Sequence, residues 1–258
     1  MGTAHARTAR RVYVVPVRLT KWYADCVTPD GALFIGYVAH LTLGPLRLDY
    51  TASIEADSPG APVRQRQSLR RGRIEADAAG VRLFSPGLDV SGSWTGGVGT
   101  EPRRVLGTEG AEVTWQALRL AAHAEVTTPT RGYSGTGYAE VVRLTLPPWR
   151  LPLTDLDWGR FVADDASTAH TWTRMDGATV TEVTAPDGHA TLDLGETRPI
   201  RVDSVPATLL GPFSGVLSRL LPATLRHLHE AKYLSRGQLV LDGTPHDGWV
   251  VHEEVRFG

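Results

Sequence analysis

Apolar and polar residues alternate along most of this chain, and Gly, Pro and Asp interrupt the alternation at short intervals. A strand sends successive side chains to opposite faces, so a period of two specifies strands, whereas a helix repeats apolar residues three and four apart. Helical spacing is nearly absent. Residues 21–28 and 33–43 read as strands joined by the hairpin signal Pro29-Asp30-Gly31. Gly44-Pro45 then turns into 46–55, where Leu46, Leu48, Tyr50, Ala52 and Ile54 alternate with polar partners. The Arg-rich stretch 56–80 predicts a loop or edge strand, and strands follow near 81–85, 88–94, 112–127 and 136–146. Beyond a Pro-rich corner at 147–152, short strands are predicted at 158–163, 169–175, 178–185, 189–194 and 198–205. One helix is predicted at 213–229, apolar at Phe213, Val216, Leu217, Leu220 and Leu221 and interrupted by Pro222. Strands at 230–242 and 248–257 close the chain. So many short strands imply an all-β barrel or sandwich. The change of texture at 147–157 divides it into 12–152 and 153–258, after a basic tail at 1–11 expected to be disordered.

A chain of 258 residues is long enough for one large β-domain or two smaller ones. A formal net charge of -1 argues against nucleic acid as the partner. The single cysteine, Cys26, excludes an internal disulfide framework and a Cys-rich metal site. No run approaches the roughly 18 apolar residues that span a bilayer. The apolar run after the basic N-terminus is too short for a signal peptide, so a cytoplasmic protein is expected. Only Lys21 and Lys232 among the 27 basic residues are lysine and asparagine is absent, the bias of a GC-rich, bacterial genome.

Two carboxylates stand out against this pattern. In the run 137–146, Glu140 shares a face with Tyr138, Val142, Leu144 and Leu146. An unpaired carboxylate there costs several kcal/mol, so it must be paired, hydrogen-bonded or held protonated. Glu253 repeats the arrangement with Trp249, Val251, Val255 and Phe257, and two such acids suit acid/base chemistry. The competing account is a structural ion pair with Arg143 or Arg160.

Other polar groups read less sharply. Asp25 with Tyr23 suits a pocket rim, but Lys21 and Asp25 are better explained as decorating a solvated face. His170 and Trp172 share a face with Arg174, which suits an exposed edge with a packed indole. Trp158 and Arg160 suit guanidinium–indole stacking. Glu230 and Lys232, two apart, predict a salt bridge. Glycine-rich nucleotide loops and a nucleophile elbow are absent, and the histidines, His227 with His229 and His246 with His252 included, are too scattered to support a metal site. No cofactor is expected.

Several motifs together resemble the hydroxyneurosporene synthase (carotenoid 1,2-hydratase)-like superfamily. They are Lys21-Trp-Tyr-Ala-Asp25, Pro29-Asp-Gly31, Ile35-Gly-Tyr37, Gly137-Tyr-Ala-Glu140, Pro148-Trp-Arg-Leu-Pro152, Trp158-Gly-Arg-Phe161 and Trp249-Val-Val-His-Glu-Glu254. The resemblance implies two lipocalin-like β-barrels or half-barrels packed together, with a ligand cavity between or inside them. Its relatives include carotenoid hydratases and fungal Diels–Alderases. The hydratases use an acid near a His-x-Trp element, which His170-Thr-Trp172 matches, but the Tyr-x-Asp pattern expected some 25 residues later is missing.

The combined expectation is a cofactor-independent cyclase acting on an apolar, unsaturated polyketide or terpenoid intermediate. Glu140 or Glu253 would be the acid, and Trp158, Trp172 and Trp249 would wall the cavity. Tyr23, Asp25, Tyr37, Tyr138, Arg160 and His170 complete the substrate-binding set, with Arg160 and Tyr23 holding an oxygenated end. The alternatives are hydration of an isoprenoid double bond, a non-catalytic lipocalin-like carrier, and a filled barrel that only packs against a partner. The partner expected is an apolar small molecule, with no nucleic acid and no membrane span, and a homodimer stays open.

Overall fold

The structure is a computed structural model and describes residues 16–58, 60–108, 111–146, 150–204 and 229–257. Its regular elements are all strands. The first ten are β1 (Val17–Val27), β2 (Leu33–Leu43), β3 (Leu46–Ala56), β4 (Arg64–Ser68), β5 (Arg73–Ala76), β6 (Gly80–Ser85), β7 (Val90–Thr95), β8 (Arg103–Thr108), β9 (Ala111–Thr127) and β10 (Gly132–Leu144). Then come β11 (Asp155–Ala163), β12 (Ala169–Met175), β13 (Ala178–Ala185), β14 (Ala190–Ser204), β15 (His229–Leu241) and β16 (Thr244–Arg256). The expected all-β class is what forms. The helix expected at 213–229 lies outside the described residues except for His229, which opens β15.

The turns follow from local chemistry. At Pro29-Asp30-Gly31, the Gly31 N–H donates to the Thr28 carbonyl, with Gly31 at φ 81°. Asp176-Gly177 and Asp242-Gly243 join β12 to β13 and β15 to β16 with φ of 49° and 77°, and of 49° and 85°. Two successive positive φ values match the twist of the flanking strands, which is why Asp-Gly favours tight hairpins.

The strands form two sheets. The first has ten strands in the order β4-β3-β2-β1-β10-β9-β7-β6-β5, with β8 added to β9. Its two ends do not pair as strands, so it is an open half-barrel, not a closed barrel. It nevertheless curls, because strands far apart in the order meet through side chains. Ser85 Oγ donates to Thr51 Oγ1 at 3.1 Å, and Arg66 Nη1 to the Leu88 carbonyl at 2.8 Å. The curl encloses Cys26, Phe34, Val38, Val81, Leu83 and Trp94, all nearly or fully inaccessible. This interior is filled by side chains.

The second sheet runs β13-β12-β11-β16-β15-β14. It covers the outer face of the first, and the layer between them is the largest apolar cluster. Tyr23, Ile35, Tyr37, Trp115 and Tyr138 of the first sheet pack there against Trp158, Val162, Leu234, Trp249 and Val251 of the second. The alternation that made these strands therefore also supplies two cores, one inside the curl and one between the sheets. Among the described residues, no helix is long and apolar enough to cross a membrane.

Candidate active site

Register places the two carboxylates of the first sheet. In the β1–β10 pair, Tyr23 stands opposite Glu140 and Asp25 opposite Tyr138. Directly opposed residues share a face, so all four side chains enter the layer between the sheets. Each tyrosine serves the acid two residues along its own strand: Tyr23 OH donates to Asp25 Oδ2 at 2.7 Å, and Tyr138 OH to Glu140 Oε2 at 2.8 Å. The sequence thus builds two Tyr-x-acid pairs side by side, and their surroundings then diverge.

Asp25 meets a guanidinium. Arg160 of β11 donates from Nε to Oδ2 at 2.9 Å and from Nη2 to Oδ1 at 2.5 Å, while its Nη1 donates to the Trp249 carbonyl at 3.0 Å. Both partners have 0 % exposure. The solvated face expected for Asp25 is therefore wrong, because the second sheet covers it. Arg160 does not stack on Trp158 but gives one bond from each of its three nitrogens to the Asp25 carboxylate and the Trp249 carbonyl.

Among the described residues Glu140 meets no arginine, so the alternative ion pair with Arg143 or Arg160 does not form. Three neutral donors converge on Oε2: Trp115 Nε1 at 2.6 Å, Tyr138 OH at 2.8 Å and Trp158 Nε1 at 3.2 Å. Oε1 receives none of them. Burial pushes the Glu140 carboxyl above the usual glutamate range, opposed by these hydrogen bonds and by the more distant Lys21 ammonium. Since Oε2 is fully engaged as an acceptor, the proton of the neutral acid belongs on Oε1. Glu140 keeps 7 % of its surface accessible.

Aromatic rings wall this acid. Trp158 meets Tyr23 edge-on at 4.9 Å between centroids and Tyr138 at 5.9 Å. Tyr37, opposite Tyr23 on β2, meets it at 5.4 Å and carries the Lys21 ammonium over its ring at 5.0 Å. The Tyr37 hydroxyl, held protonated by burial, has no hydrogen-bond partner of acceptable geometry among the described residues. Trp249 also faces this layer, with Arg236 stacked over it at 4.7 Å.

Glu253 behaves differently. It stands opposite both Trp158 and Lys232, and the Lys232 ammonium contacts its Oε2 directly while reaching Glu230 Oε1 at 2.8 Å. The expected Glu230–Lys232 bridge is present, enlarged by Glu253. Lys232 pulls the Glu230 carboxyl down to about 2 despite burial. Glu253 is therefore part of an ion-paired cluster with Lys232 and Glu230, unlike Glu140.

His170 and Trp172 lie elsewhere. Their cross-strand partners, Phe161 and Gly159, put them on the face of the second sheet turned away from the first. His170 Nδ1 bonds Thr184 Oγ1 at 2.9 Å and its ring stacks on Trp172 at 5.8 Å. Seven of the expected substrate-binding residues, Tyr23, Asp25, Tyr37, Tyr138, Trp158, Arg160 and Trp249, therefore share one layer with Glu140, and these two do not. Trp115 was missed. Its signal was the alternation Val113, Trp115, Ala117, which sets an indole on the apolar face of β9.

Two cavities open at the margins of the sheet interface. One, of about 330 Å³, is lined mainly by apolar groups including Leu33, Ala56, Val63, Ile200 and Leu234, with Arg198 at its edge. The other, of about 560 Å³, is more polar and includes Arg103, Glu182 and His189. Neither is lined by Glu140. Among the described residues, no group of three or more His, Cys, Asp or Glu is placed to hold a metal ion.

No protein-family model matches the sequence, and no curated protein does either. Solved structures do match in fold. CghA with Sch210972 is 10% identical, with a TM-score of 0.51 over 94% of this chain and 89% of that one. Kievitone hydratase from Nectria haematococca is 10% identical, with a TM-score of 0.45 over 95% and 89%. A protein assigned as AttH from Nitrosomonas europaea is 11% identical, with a TM-score of 0.44 over 93% and 92%. The likeness to CghA shows a shared fold, in keeping with the architecture that the sequence motifs implied.

Proposed function

We propose that this protein is a cofactor-independent cyclase for an apolar, unsaturated intermediate, with Glu140 as its acid. The observation that carries this reading is the asymmetry of one carboxyl group. Three neutral donors load Oε2, no cation among the described residues forms an ion pair with the group, and Oε1 is left to hold and deliver a proton. A structural carboxylate needs an ion pair, as Asp25 and Glu253 have; an acid needs burial without one.

In the reaction, Oε1–H protonates an alkene, and the new C–H bond leaves a cation that Trp158 and Tyr23 flank. An internal double bond or oxygen attacks the cation and closes the ring. A proton then leaves the product and returns to the Glu140 carboxylate, so no atom is gained or lost. Neither cavity reaches Glu140, so the sheets must part around the substrate, whose orientation against the acid then contributes on the order of 7–11 kcal/mol. Tyr37, whose hydroxyl lies in the same layer beside Lys232, joins Arg160 as a group that could hold an oxygenated end. That CghA was solved with the small molecule Sch210972 supports a ligand-binding use of the fold.

The test supplies acyclic isoprenoid alcohols and linear polyene acids to the wild-type protein and to Glu140→Gln in ¹⁸O-labelled water. The expected product is an isomer of unchanged mass, with the variant slower by about 100-fold or more. Wild-type turnover by a folded Glu140→Gln protein overturns the proposal, and ¹⁸O in the product shows hydration instead. A carrier is the second reading, favoured by the apolar cavity of about 330 Å³ that Glu140 does not line. It predicts substrate recovered unchanged.

A further inference from the structure

Glu140 draws its donors from both sheets. Trp115 and Tyr138 belong to the same sheet as the acid, whereas Trp158 comes from β11 of the other. At 3.2 Å the Trp158 bond is the longest of the three, and a displacement of about 0.5 Å carries it out of hydrogen-bond range. Something must therefore fix β11 against β1 and β10 to a few tenths of an ångström. Nearby ring contacts hold their geometry over a broader range of separations than a bidentate ion pair does, so they fix position less tightly.

Two residues beyond Trp158, on the same face of β11, is Arg160. Its planar fork meets both oxygens of Asp25 at 2.9 and 2.5 Å, a geometry that constrains position and angle together. Asp25 is itself oriented by Tyr23 OH at 2.7 Å, and the third guanidinium nitrogen ties β11 to the Trp249 carbonyl. We propose that Arg160 is the positioning residue of this site: by clamping Asp25 across the sheet interface, it holds the Trp158 indole on Glu140 Oε2 and so leaves Oε1 as the proton-bearing oxygen. Its chemical meaning rests on the acid role of Glu140, but the arrangement can be read without turnover.

The titratable and charged groups sharing the layer around Glu140 are Lys21, Tyr23 and Asp25 on β1, Tyr37 on β2, Tyr138 on its own strand and Arg160 on β11. Behind Trp158 lies Glu253 on β16, paired with Lys232 on β15. β9 contributes Trp115 and Ala117, which do not titrate.

The experiment follows the indole ¹⁵N–H signals of Trp115 and Trp158 against pH in tryptophan-labelled protein. In the wild type both signals are expected to move with one shared midpoint, and both displacements vanish in Glu140→Gln. In Arg160→Gln the Trp158 displacement is expected to be lost while that of Trp115 persists. Arg160→Lys, which keeps the charge but not the fork, is expected not to restore it. Asp25→Asn gives the same reading if Arg160→Gln does not fold. A Trp158 signal that tracks Glu140 undiminished in a folded clamp variant overturns the role of Arg160 and leaves the acid untouched. Absence of the shared titration in the wild type counts against both.

Discussion

Two Tyr-x-acid pairs on neighbouring strands make a comparison within one molecule. Asp25 and Glu140 each have a tyrosine two residues before them as donor, lie in the same sheet and are nearly equally buried, and they differ in what the second sheet places opposite them. One receives a guanidinium and the other an indole. The difference has a thermodynamic signature. Burial raises the folded-state pKa of Glu140 above the usual 4.5, so the native state binds more protons than the unfolded state between those two values. Stability from this group is then complete below pH 4.5 and falls as pH rises through the folded pKa. Glutamine cannot titrate. The stability of the wild type relative to Glu140→Gln is therefore expected to decline with rising pH above 4.5, as read by urea unfolding at several pH values. A difference that grows with pH contradicts the assignment. The exposed-face reading of Asp25 failed at this same scale, because alternation says which residues share a face and not what covers that face.

Strands were legible where one side was apolar. β1, β2, β3, β6, β7 and β9 to β16 all fall within or across predicted runs, and the polar stretch expected to be a loop or edge supplies β4 and β5, the two ends of the first sheet. β8 was missed, because Arg103-Arg104 and the glycine at 107 give it little alternation. The predicted strands 189–194 and 198–205 fuse into the single β14, whose register shifts twice opposite β15. Such bulges absorb the break in pattern that the sequence showed. Packing between elements brings its own requirement at Gly159, where a Cβ would come within 2.1 Å of the Trp172 ring. Gly159→Ala is expected to displace that indole and destabilise the second sheet by about 1–3 kcal/mol, seen as a weakened near-ultraviolet dichroism of tryptophan. An unchanged spectrum would show that the ring has room to move.

Across the whole molecule, the layer between the sheets is both core and candidate site. Its two interlocks, Arg160 with Asp25 and Trp158 with Glu140, join different sheets, across 135 positions of chain for the first and 18 for the second. Pairings of this kind depend on how two curved sheets meet, which no local pattern encodes. That is why the members of the site were readable one by one, and their partners were not. The bridge also sets an energetic expectation. Removing one member leaves a buried charge unmatched, so Asp25→Ala is expected to cost about 3–5 kcal/mol in urea unfolding. Replacing Asp25 and Arg160 together by apolar residues is expected to recover much of that loss. A double variant as unstable as Asp25→Ala would mean that the pair's shape, more than its charge balance, holds the sheets together.

All of the proposed chemistry depends on a carboxyl group at position 140 that gives up its proton reluctantly. Carbon-13 NMR of glutamate-labelled protein, with Glu140→Gln identifying the signal, follows that carboxyl directly through its titration. The account predicts a midpoint above the usual glutamate value of 4.5. A midpoint at or below that value would mean that the three donors outweigh burial, and Glu140 would then be a structural carboxylate.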